Sequence, residues 1–514
     1  MKSRLLFALL LTVLNAQAAP SVRPNILLLY TDDHSYRTIS CYEGAEPWAR
    51  TPNIDRLAAR GVRFTHAYIG TWCMPSRATM LTGLHQYGVR TMRMAEPYPS
   101  STYDPAQCRF WPAVFREHGY QTAQIGKWHT GTDAGFGRDW DYQIVWNRPK
   151  HPENAANYYY DQLLSVNGAE PKIVPGYSTD NYTRWAIDYI KGEHRDATKP
   201  WYLWLCYGGV HAPYTPAERH LDDYPGATVP TPADIYPPRA GKPGYMQSIA
   251  AWEKGAGGEP VLSTRALGSE VGDDKARDRG RTLSTWSRQY HQAVRSLDEG
   301  VGRLLAALEE SGQLANTLVV FTADQGYAWG QHGFRAKLAP YDANIRSPLL
   351  VSMPGTLPEG KVCRIPVGGA DIAPTFFSFA GLELPWPMHG HDLTPLLKKP
   401  DAPWGHTTML PFTADKFGAD CDVVPLPPGN RHKTGIPWYV MLAEGRLKYI
   451  RTLEANEPEE LYDLLADPEE LTNLALDAKH AETVKKLRAA AIAELQRTGA
   501  KMVNSLPPVK TAAN

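Results

Sequence analysis

The sequence predicts an α/β fold with a large, mostly parallel sheet flanked by helices, followed by a smaller C-terminal α+β subdomain. Short apolar runs alternate with helical patterns through the first three quarters of the chain, which is typical of proteins built on a parallel sheet. After Leu397 the pattern changes to two hairpin-like strands and a terminal helix. At 514 residues the chain is also too long for one simple core, so a large domain and a smaller one are expected.

The first element is an N-terminal segment typical of a secretory signal peptide. Lys2 and Arg4 precede an apolar run over residues 5–14, and Ala-Gln-Ala at 16–18 fits the small-residue rule for cleavage. The run is shorter than a membrane span, and no cysteine stands at the cleavage point for a lipid anchor. We therefore predict a signal peptide over residues 1–18 and an exported protein, periplasmic or secreted, without a stable membrane anchor. The alternative is an uncleaved anchor.

Four continuous apolar runs predict strands that are buried on both faces of the sheet. They cover residues 25–30, 121–125, 201–205 and 317–321. An amphipathic helix is predicted before the last of them, because apolar residues recur on one stripe and a glycine follows its end. The stripe comprises Val294, Leu297, Val301, Leu304, Leu305 and Leu308, and the glycine is Gly312.

Two further segments differ in character from this alternating pattern. Residues 222–281 are rich in Pro, Gly and charged residues, and they predict an insertion that is either a surface excursion or a lid. Residues 438–441 and 447–450 predict the hairpin strands, and residues 481–495 predict the terminal helix. The predicted domains are 19–397, which contains the insertion, and 398–514.

Composition excludes some classes of partner. The formal net charge is zero, with 43% hydrophobic and 21% charged residues. Proteins that bind nucleic acid or membrane surfaces usually carry a basic patch or tail, so neither partner is expected. The six cysteines show no metal-ligand spacing such as CxxC, and their pairing stays open.

Polar, titratable residues follow each of the four predicted strands. Ligands of open α/β sheets bind at the carboxyl ends of the strands, so these residues are expected to meet at one edge. They are Asp32, Asp33 and His34 after the first strand, Lys127 and His129 after the second, His211 after the third, and Asp324 and Gln325 after the fourth.

The carboxylates among them predict a cation site. Asp32, Asp33 and Asp324, with the side-chain carbonyl of Gln325, form a set of hard oxygen ligands that favours Ca²⁺, or Mg²⁺ as the alternative, over Zn²⁺. A single aspartate after a strand is more often a helix N-cap. An adjacent pair of carboxylates, however, repels itself unless a cation lies between them.

Basic residues near these strand ends predict an anionic substrate. Lys127 and Lys337 would supply positive charge, although a lone loop lysine is more often a solvated surface residue. His129 and His211 can serve as acid or base near neutral pH, and the alternative is a structural, hydrogen-bonded role. His34 lies beside these motifs, as does a further histidine, His332, and both are candidate substrate contacts.

A cysteine motif completes the set of candidate residues. Cys73-Met-Pro-Ser-Arg77 runs on to Leu81-Thr82-Gly83, and with other segments it resembles the formylglycine-dependent, type I sulfatases of the alkaline-phosphatase superfamily. The resemblance extends over nearly the whole mature chain. The other matching segments are 24–33, 51–58, 126–129, 460–464 and 467–468.

The resemblance implies a role for each candidate residue. A maturation enzyme would oxidise Cys73 to formylglycine, whose hydrate would attack sulfur, and the same residue would contact the metal. Arg77 would hold this group ionised and His129 would orient it and take its proton. Lys127 and Lys337 would bind sulfate oxygens, and His211 would protonate the leaving alcohol. Gln325 departs from the commoner Asn or His, which leaves its role open.

Three hypotheses about function follow from this resemblance. The first is a sulfatase that acts on an O-sulfate, with a sulfated carbohydrate as substrate, since export and many aromatic residues fit that class. The second is a formylglycine-dependent phosphonate or phosphate ester hydrolase of the same superfamily. The third is a non-catalytic glycan-binding relative, which would be expected to lose Cys73, Arg77 or the aspartate pair. The sugar, the sulfate position and the oligomeric state are not predicted.

Overall fold

The computed structural model describes residues 23–263 and 282–510. The predicted signal peptide and residues 264–281 of the predicted insertion lie outside the described residues. Within them, the strands are β1 (Asn25–Thr31), β2 (Val62–Tyr68), β3 (Arg93–Met94), β4 (Ser101–Thr102), β5 (Gln121–Trp128), β6 (Tyr142–Asn147), β7 (Gln162–Val166), β8 (Lys172–Val174), β9 (Trp201–Cys206), β10 (Trp252–Lys254), β11 (Pro260–Leu262), β12 (Thr317–Ala323), β13 (Ala328–Trp329), β14 (Arg335–Ala336), β15 (Ser347–Ser352), β16 (Lys361–Cys363), β17 (Val367–Gly368), β18 (Thr408–Phe412), β19 (Tyr439–Glu444), β20 (Leu447–Thr452) and β21 (Glu459–Asp463).

The helices flank the main sheet or pack on the C-terminal one. In the described residues they are α1 (Pro52–Ala59), α2 (Cys73–Thr82), α3 (Pro112–Glu117), α4 (Ser178–Ile190), α5 (Leu283–Glu310), α6 (Asp342–Ile345), α7 (Ile372–Ala380), α8 (Thr394–Lys398) and α9 (Ala481–Arg497).

The main sheet has the order β16-β2-β15-β12-β1-β9-β5-β6-β7-β8, with β17 paired to β2. Its central strands β12, β1, β9, β5 and β6 are all parallel, and antiparallel pairs occur towards both edges. The predicted fold class is therefore confirmed. All four predicted strands lie in this central, buried part of the sheet.

The register of the central strands brings their carboxyl ends to the same level. Thr31, the last residue of β1, pairs with Ala323, the last residue of β12. On the other side of β1, Tyr30 pairs with Cys206 at the end of β9. The residues that follow these strands therefore leave one edge of the sheet side by side.

Helix α5 covers one face of the sheet with the predicted apolar stripe. Each residue of that stripe is buried, from Val294 to Leu308. The helix begins earlier than the stripe, at Leu283, because Thr282 caps its first turn by accepting a hydrogen bond from the Thr285 backbone amide.

The C-terminal unit contains a separate antiparallel sheet with the order β18-β19-β20-β21. The predicted hairpin strands correspond to β19 and β20, and the predicted terminal helix corresponds to α9. This helix packs on the sheet through Val484, Leu487, Ala491 and Leu495. The exact domain boundaries stay a prediction.

Two further observations concern membrane-spanning helices and disulfides. No helix among the described residues combines the length and the apolar character needed to cross a membrane. All six cysteines are free thiols, so no disulfide contributes to the fold.

Candidate active site

Cys73 lies at the start of α2, immediately after the loop that leaves β2. The side chain is buried, its Sγ lies 3.4 Å from Asp32 Oδ1, and Lys337 Nζ donates to Sγ at 3.0 Å. Burial raises the pKa of the Cys73 thiol to about 12, with the Asp32 charge acting in the same direction. The thiol is therefore protonated at neutral pH and is not itself an activated nucleophile.

Arg77 lies one turn further along α2, so its side chain projects towards the same edge of the sheet. Its fully buried guanidinium donates to Asp32 Oδ2 at 2.9 Å and to the Lys127 carbonyl at 3.2 Å, and it lies 3.6 Å from Asp324 Oδ2. Although burial lowers its pKa, Asp32 and Asp324 raise it above the usual value of arginine. Arg77 is a permanent charge between two strand ends.

The three predicted carboxylates form one buried cluster. The Asp33 amide donates to Asp324 Oδ1 at 2.9 Å, and atoms of Asp32, Asp33, Cys73 and His211 lie within 4.8 Å of one another. Burial raises the pKa of Asp324 to about 7, and the Asp32 charge contributes. Burial also acts to raise the pKa of Asp32, but Lys127 and Arg77 outweigh it, and the pKa falls below the usual value.

These residues fit a hard cation. Asp324 Oδ2 and Gln325 Oε1 are buried oxygens without a hydrogen-bond donor, and such atoms are costly unless they are satisfied. The Gln325 amide nitrogen contacts Asp33 Oδ1, so a half-turn of the amide would bring Oε1 towards the cluster. An oxygen-rich set of this kind suits Ca²⁺ or Mg²⁺. His211 is an additional neighbour that the predicted ligand set did not include.

The two predicted lysines contact different carboxylates of the cluster. Lys127, on β5, is fully buried and contacts Asp32. Lys337, after β14, donates to Asp33 Oδ1 at 2.6 Å. Although burial lowers the Lys337 pKa, Asp33 and Cys73 raise it well above the usual value, so this lysine stays charged.

His129 and His211 line the cluster on its β5 and β9 sides. Arg148 Nη1 donates to the His129 ring, 3.1 Å from Nδ1. Burial, with Arg148 contributing, keeps the pKa of His129 well below its usual value, so the ring is neutral. His211 Nδ1 donates to the Ala212 carbonyl at 2.8 Å, and Nε2 lies 3.6 Å from Asp33 Oδ2. Burial, followed by Lys337, likewise lowers the pKa of His211 well below its usual value.

His34 and His332 lie apart from the cluster contacts. The His34 ring nitrogens contact the hydroxyls of Thr31 at 3.1 Å and Thr38 at 2.9 Å. His332 Nδ1 lies 2.5 Å from Asp234 Oδ2, in the predicted insertion. Both rings are buried and partnered within the protein, and their role as substrate contacts stays a prediction.

The structure adds two residues that the sequence reasoning did not single out. Tyr158 stacks on His211 with 4.0 Å between ring centroids and an angle of 4° between planes. The Lys127 ammonium and the Arg148 guanidinium also lie over the Tyr158 ring, at 5.1 and 4.9 Å. Arg148 directly follows β6, so the same strand-end rule would have found it had residues 142–147 been identified as a strand.

The chain is similar to known proteins in sequence and in fold. The sulfatase family model matches residues 24–382. The N-acetylglucosamine-6-O-sulfatase of Bacteroides thetaiotaomicron is 30% identical, over 92% of this chain and 86% of the relative. The choline-sulfatase of Rhizobium meliloti is 27% identical, over 88% of this chain and 82% of the relative. The solved structure of BT4656 in complex with its substrate D-glucosamine-2-N,6-O-disulfate superposes with a TM-score of 0.74 at 25% identity, covering 93% of this chain and 98% of that one.

Proposed function

Because the chain belongs to the sulfatase family and is a sulfatase family hydrolase, we propose that it hydrolyses an O-sulfate ester of a carbohydrate, with residue 73 converted to formylglycine. The observation that carries the proposal is the position of Cys73, buried at the start of α2 between Asp32 and Lys337. Relatives named for N-acetylglucosamine-6-O-sulfate and a glucosamine disulfate support an amino sugar 6-O-sulfate as the substrate to test first.

The chemical state of Cys73 supports the need for modification. A thiol with a pKa of about 12 is almost entirely protonated at neutral pH, and so it is a poor nucleophile. Formylglycine at this position would supply an oxygen nucleophile for attack on sulfur. A maturation enzyme that oxidises Cys73 is therefore part of the proposal, and so is export through the N-terminal signal peptide.

The cations around residue 73 would bind the sulfate group. Lys127 and Lys337 contact different carboxylates of the cluster, and each provides a donor for oxygens whose negative charge grows in the transition state. Arg77, between Asp32 and Asp324, would stabilise an ionised oxygen on residue 73. Asp32, Asp33, Asp324 and Gln325 would hold Ca²⁺, or Mg²⁺ as the alternative. The ion would supply further positive charge to the developing oxyanion.

The two histidines would divide the proton transfers between them. His129 is neutral because burial, with the Arg148 guanidinium contributing, lowers its pKa, so it can accept a proton from the nucleophile. His211 donates Nδ1–H to a carbonyl, which leaves Nε2 directed to the cluster. A bound sulfate ester is an anion, and its charge would raise the pKa of His211 and favour the protonated ring. His211 would then protonate the leaving alcohol.

The test combines mass spectrometry with paired ester assays. Protein made with its maturation enzyme should carry formylglycine at residue 73 and release sulfate from N-acetylglucosamine-6-O-sulfate. Turnover of a matched phosphate or phosphonate ester should be much slower. An unmodified thiol at residue 73 in an active preparation would overturn the mechanism. Faster turnover of the phosphorus esters would replace the proposed substrate class with the alternative named above.

A further inference from the structure

A loop of the C-terminal unit reaches the neighbourhood of the nucleophile. His432, between β18 and β19, lies with its ring centroid 6.0 Å from that of Trp72, the residue before Cys73. Burial lowers the pKa of His432 to about 4, and the charges of Lys433 and Lys337 act in the same direction. The loop that carries His432 therefore lies within the electrostatic range of Lys337.

Two residues of the cluster keep contact with solvent. Among the predicted catalytic and metal-binding residues, only His211 and Lys337 keep partial exposure, at 21% and 16% of their side chains. The others, including Cys73 and Lys127, are buried. Lys337 contacts Cys73 Sγ and is partly exposed, so the cluster meets solvent beside Lys337.

Tyr98, an exposed aromatic residue beside the cluster, lies on the hairpin loop between β3 and β4. The residue is 43% exposed, and its ring meets His129 edge-on, with 6.0 Å between centroids. Burial raises the pKa of the Tyr98 hydroxyl, and the charges of Arg148, Cys73 and Lys337 also influence it. The Tyr98 ring therefore lies beside a residue of the catalytic cluster, and its exposed part offers an apolar surface.

Lys433 lies over one face of the Tyr98 ring. Its ammonium is 4.7 Å from the Tyr98 ring centroid, and the side chain is exposed. In the described part of the chain, no ion pair joins Lys433 to a carboxylate. An exposed cation–π contact orients an ammonium without neutralising it. The surface beside the cluster therefore carries a positive charge of its own, in addition to the charges around Cys73.

We propose that Tyr98 and Lys433 form a subsite that binds a second anionic group, a sulfate or a carboxylate, on the saccharide whose ester is hydrolysed at residue 73. The inference rests on the proposed function, because it takes the substrate to be a sulfated sugar. Tyr98 provides exposed apolar ring surface for the sugar beside the ammonium, and Lys433 provides a point charge on a flexible stem for the additional anion. The subsite makes the enzyme selective for multiply charged saccharides.

The test measures a preference between substrates. Values of kcat/KM are determined for N-acetylglucosamine-6-O-sulfate, for glucosamine-2-N,6-O-disulfate, and for a disaccharide that joins a uronate to the same 6-O-sulfated sugar. In Lys433→Met, the preference for the multiply charged substrates over the singly charged one should fall about tenfold, and Lys433→Arg should restore it. The wild-type preference should also weaken as salt rises, because an exposed charge is screened.

A matched control and the contrary outcomes make the test decisive. Lys485→Met removes an exposed lysine of α9, and it should leave all three values at the wild-type level. A loss confined to the disulfate identifies a sulfate as the second anion, and a loss confined to the uronate identifies a carboxylate. An unchanged preference in Lys433→Met overturns the subsite while the sulfatase proposal stands. If the wild-type enzyme hydrolyses no sulfate ester, the proposed function itself fails.

Discussion

At the scale of single residues, the contacts of Cys73 indicate that its side chain matters for the proposed reaction and contributes little to the stability of the fold. The side chain contributes a neutral thiol, whose Sγ lies near Asp32 Oδ1 and Lys337 Nζ. The ion pairs of the cluster connect other groups, such as Lys337 with Asp33. Deletion of Sγ therefore leaves the charge balance of the site intact.

We predict that Cys73→Ala loses sulfate-ester turnover by more than about 1,000-fold, as expected when a nucleophile is removed. Its melting temperature should stay within a few degrees of wild type, since no charge is left unpaired. Turnover assays check the loss of activity, and thermal unfolding checks the melting temperature. The control is Cys363→Ala, at a buried cysteine of the peripheral strand β16, which should keep turnover. Wild-type rates in Cys73→Ala would contradict the assignment of the nucleophile.

A second residue-scale prediction concerns Tyr158, the ring that packs on His211. The stacked contact at 4.0 Å fixes the plane of the imidazole, and the Tyr158 hydroxyl is buried without a hydrogen-bond partner. Tyr158→Leu should lower kcat by about 10- to 100-fold, because a proton donor must be held in place. Tyr158→Phe keeps the ring and should stay within about threefold of wild type. Steady-state kinetics of the two variants check this, and equal losses would assign the effect to the hydroxyl.

At the scale of elements, the carboxyl ends of the strands explain which site residues the sequence could reveal. Continuous apolar runs identify β1, β5, β9 and β12, and the residues after them meet because the strands are parallel and in register. The pattern does not say which way a side chain turns. His34 follows β1 directly, yet its ring contacts Thr31 and Thr38 rather than the cluster.

Other elements escape this reasoning for physical reasons. Residues 142–147 form a buried strand, although Gln143 and Asn147 interrupt their apolar character with side chains that bond to neighbouring loops. Without β6, the position of Arg148 could not be anticipated. The docking of residues 431–435 near Cys73 depends on contacts between distant parts of the chain, and local pattern carries no information about it.

The geometry of β5 supports a prediction about one glycine. Gly126 precedes Lys127 and has φ of 107°, a conformation that L side chains rarely adopt, and a Cβ there would lie 2.1 Å from the Cys206 carbonyl oxygen. Gly126→Ala should therefore destabilise the protein by about 3 kcal/mol and displace Lys127.

Chemical unfolding and turnover check this prediction together. The matched change is Gly405→Ala, in an exposed loop where an added Cβ meets nothing within 4 Å, and it should be close to neutral. If Gly126→Ala unfolds at the same denaturant concentration as wild type, β5 and β9 can separate more easily than the structure indicates.

At the scale of the whole molecule, a cluster of buried charges joins the two units. Lys448 of β20 donates to Asp342 Oδ1, on helix α6, at 2.8 Å, and it lies 2.8 Å from Glu470 Oε1. Tyr68 of the main sheet also donates to Asp342 Oδ1, at 2.8 Å. All of these residues are buried, so the C-terminal sheet is held to the catalytic domain by charges that have no access to water.

Loss of this lysine should destabilise the protein in a pH-dependent way. Lys448→Met removes the cation that pairs with buried Glu470 and leaves Asp342 with Arg346, 3.7 Å away, which should cost about 3–5 kcal/mol of unfolding free energy near pH 8. Burial raises the pKa of Glu470 to about 7, with Lys448 opposing and Asp342 adding to the rise. Removal of Lys448 raises it further. A carboxyl group with a raised folded-state pKa costs no stability while it is protonated in both states, and the cost grows as pH rises through that pKa.

The destabilisation of Lys448→Met should therefore be smaller at about pH 5.5, where Glu470 is mostly protonated in the folded state, than at about pH 8. Urea unfolding of wild type and variant at both pH values measures the difference, and subtraction cancels the titration that both proteins share. Lys486→Met, which breaks an exposed pair with Glu444, should cost less than about 1 kcal/mol at either pH. A small cost for Lys448→Met at both pH values would show that the buried pair does not hold the two units together. A large cost that is equal at the two pH values would contradict the titration of Glu470.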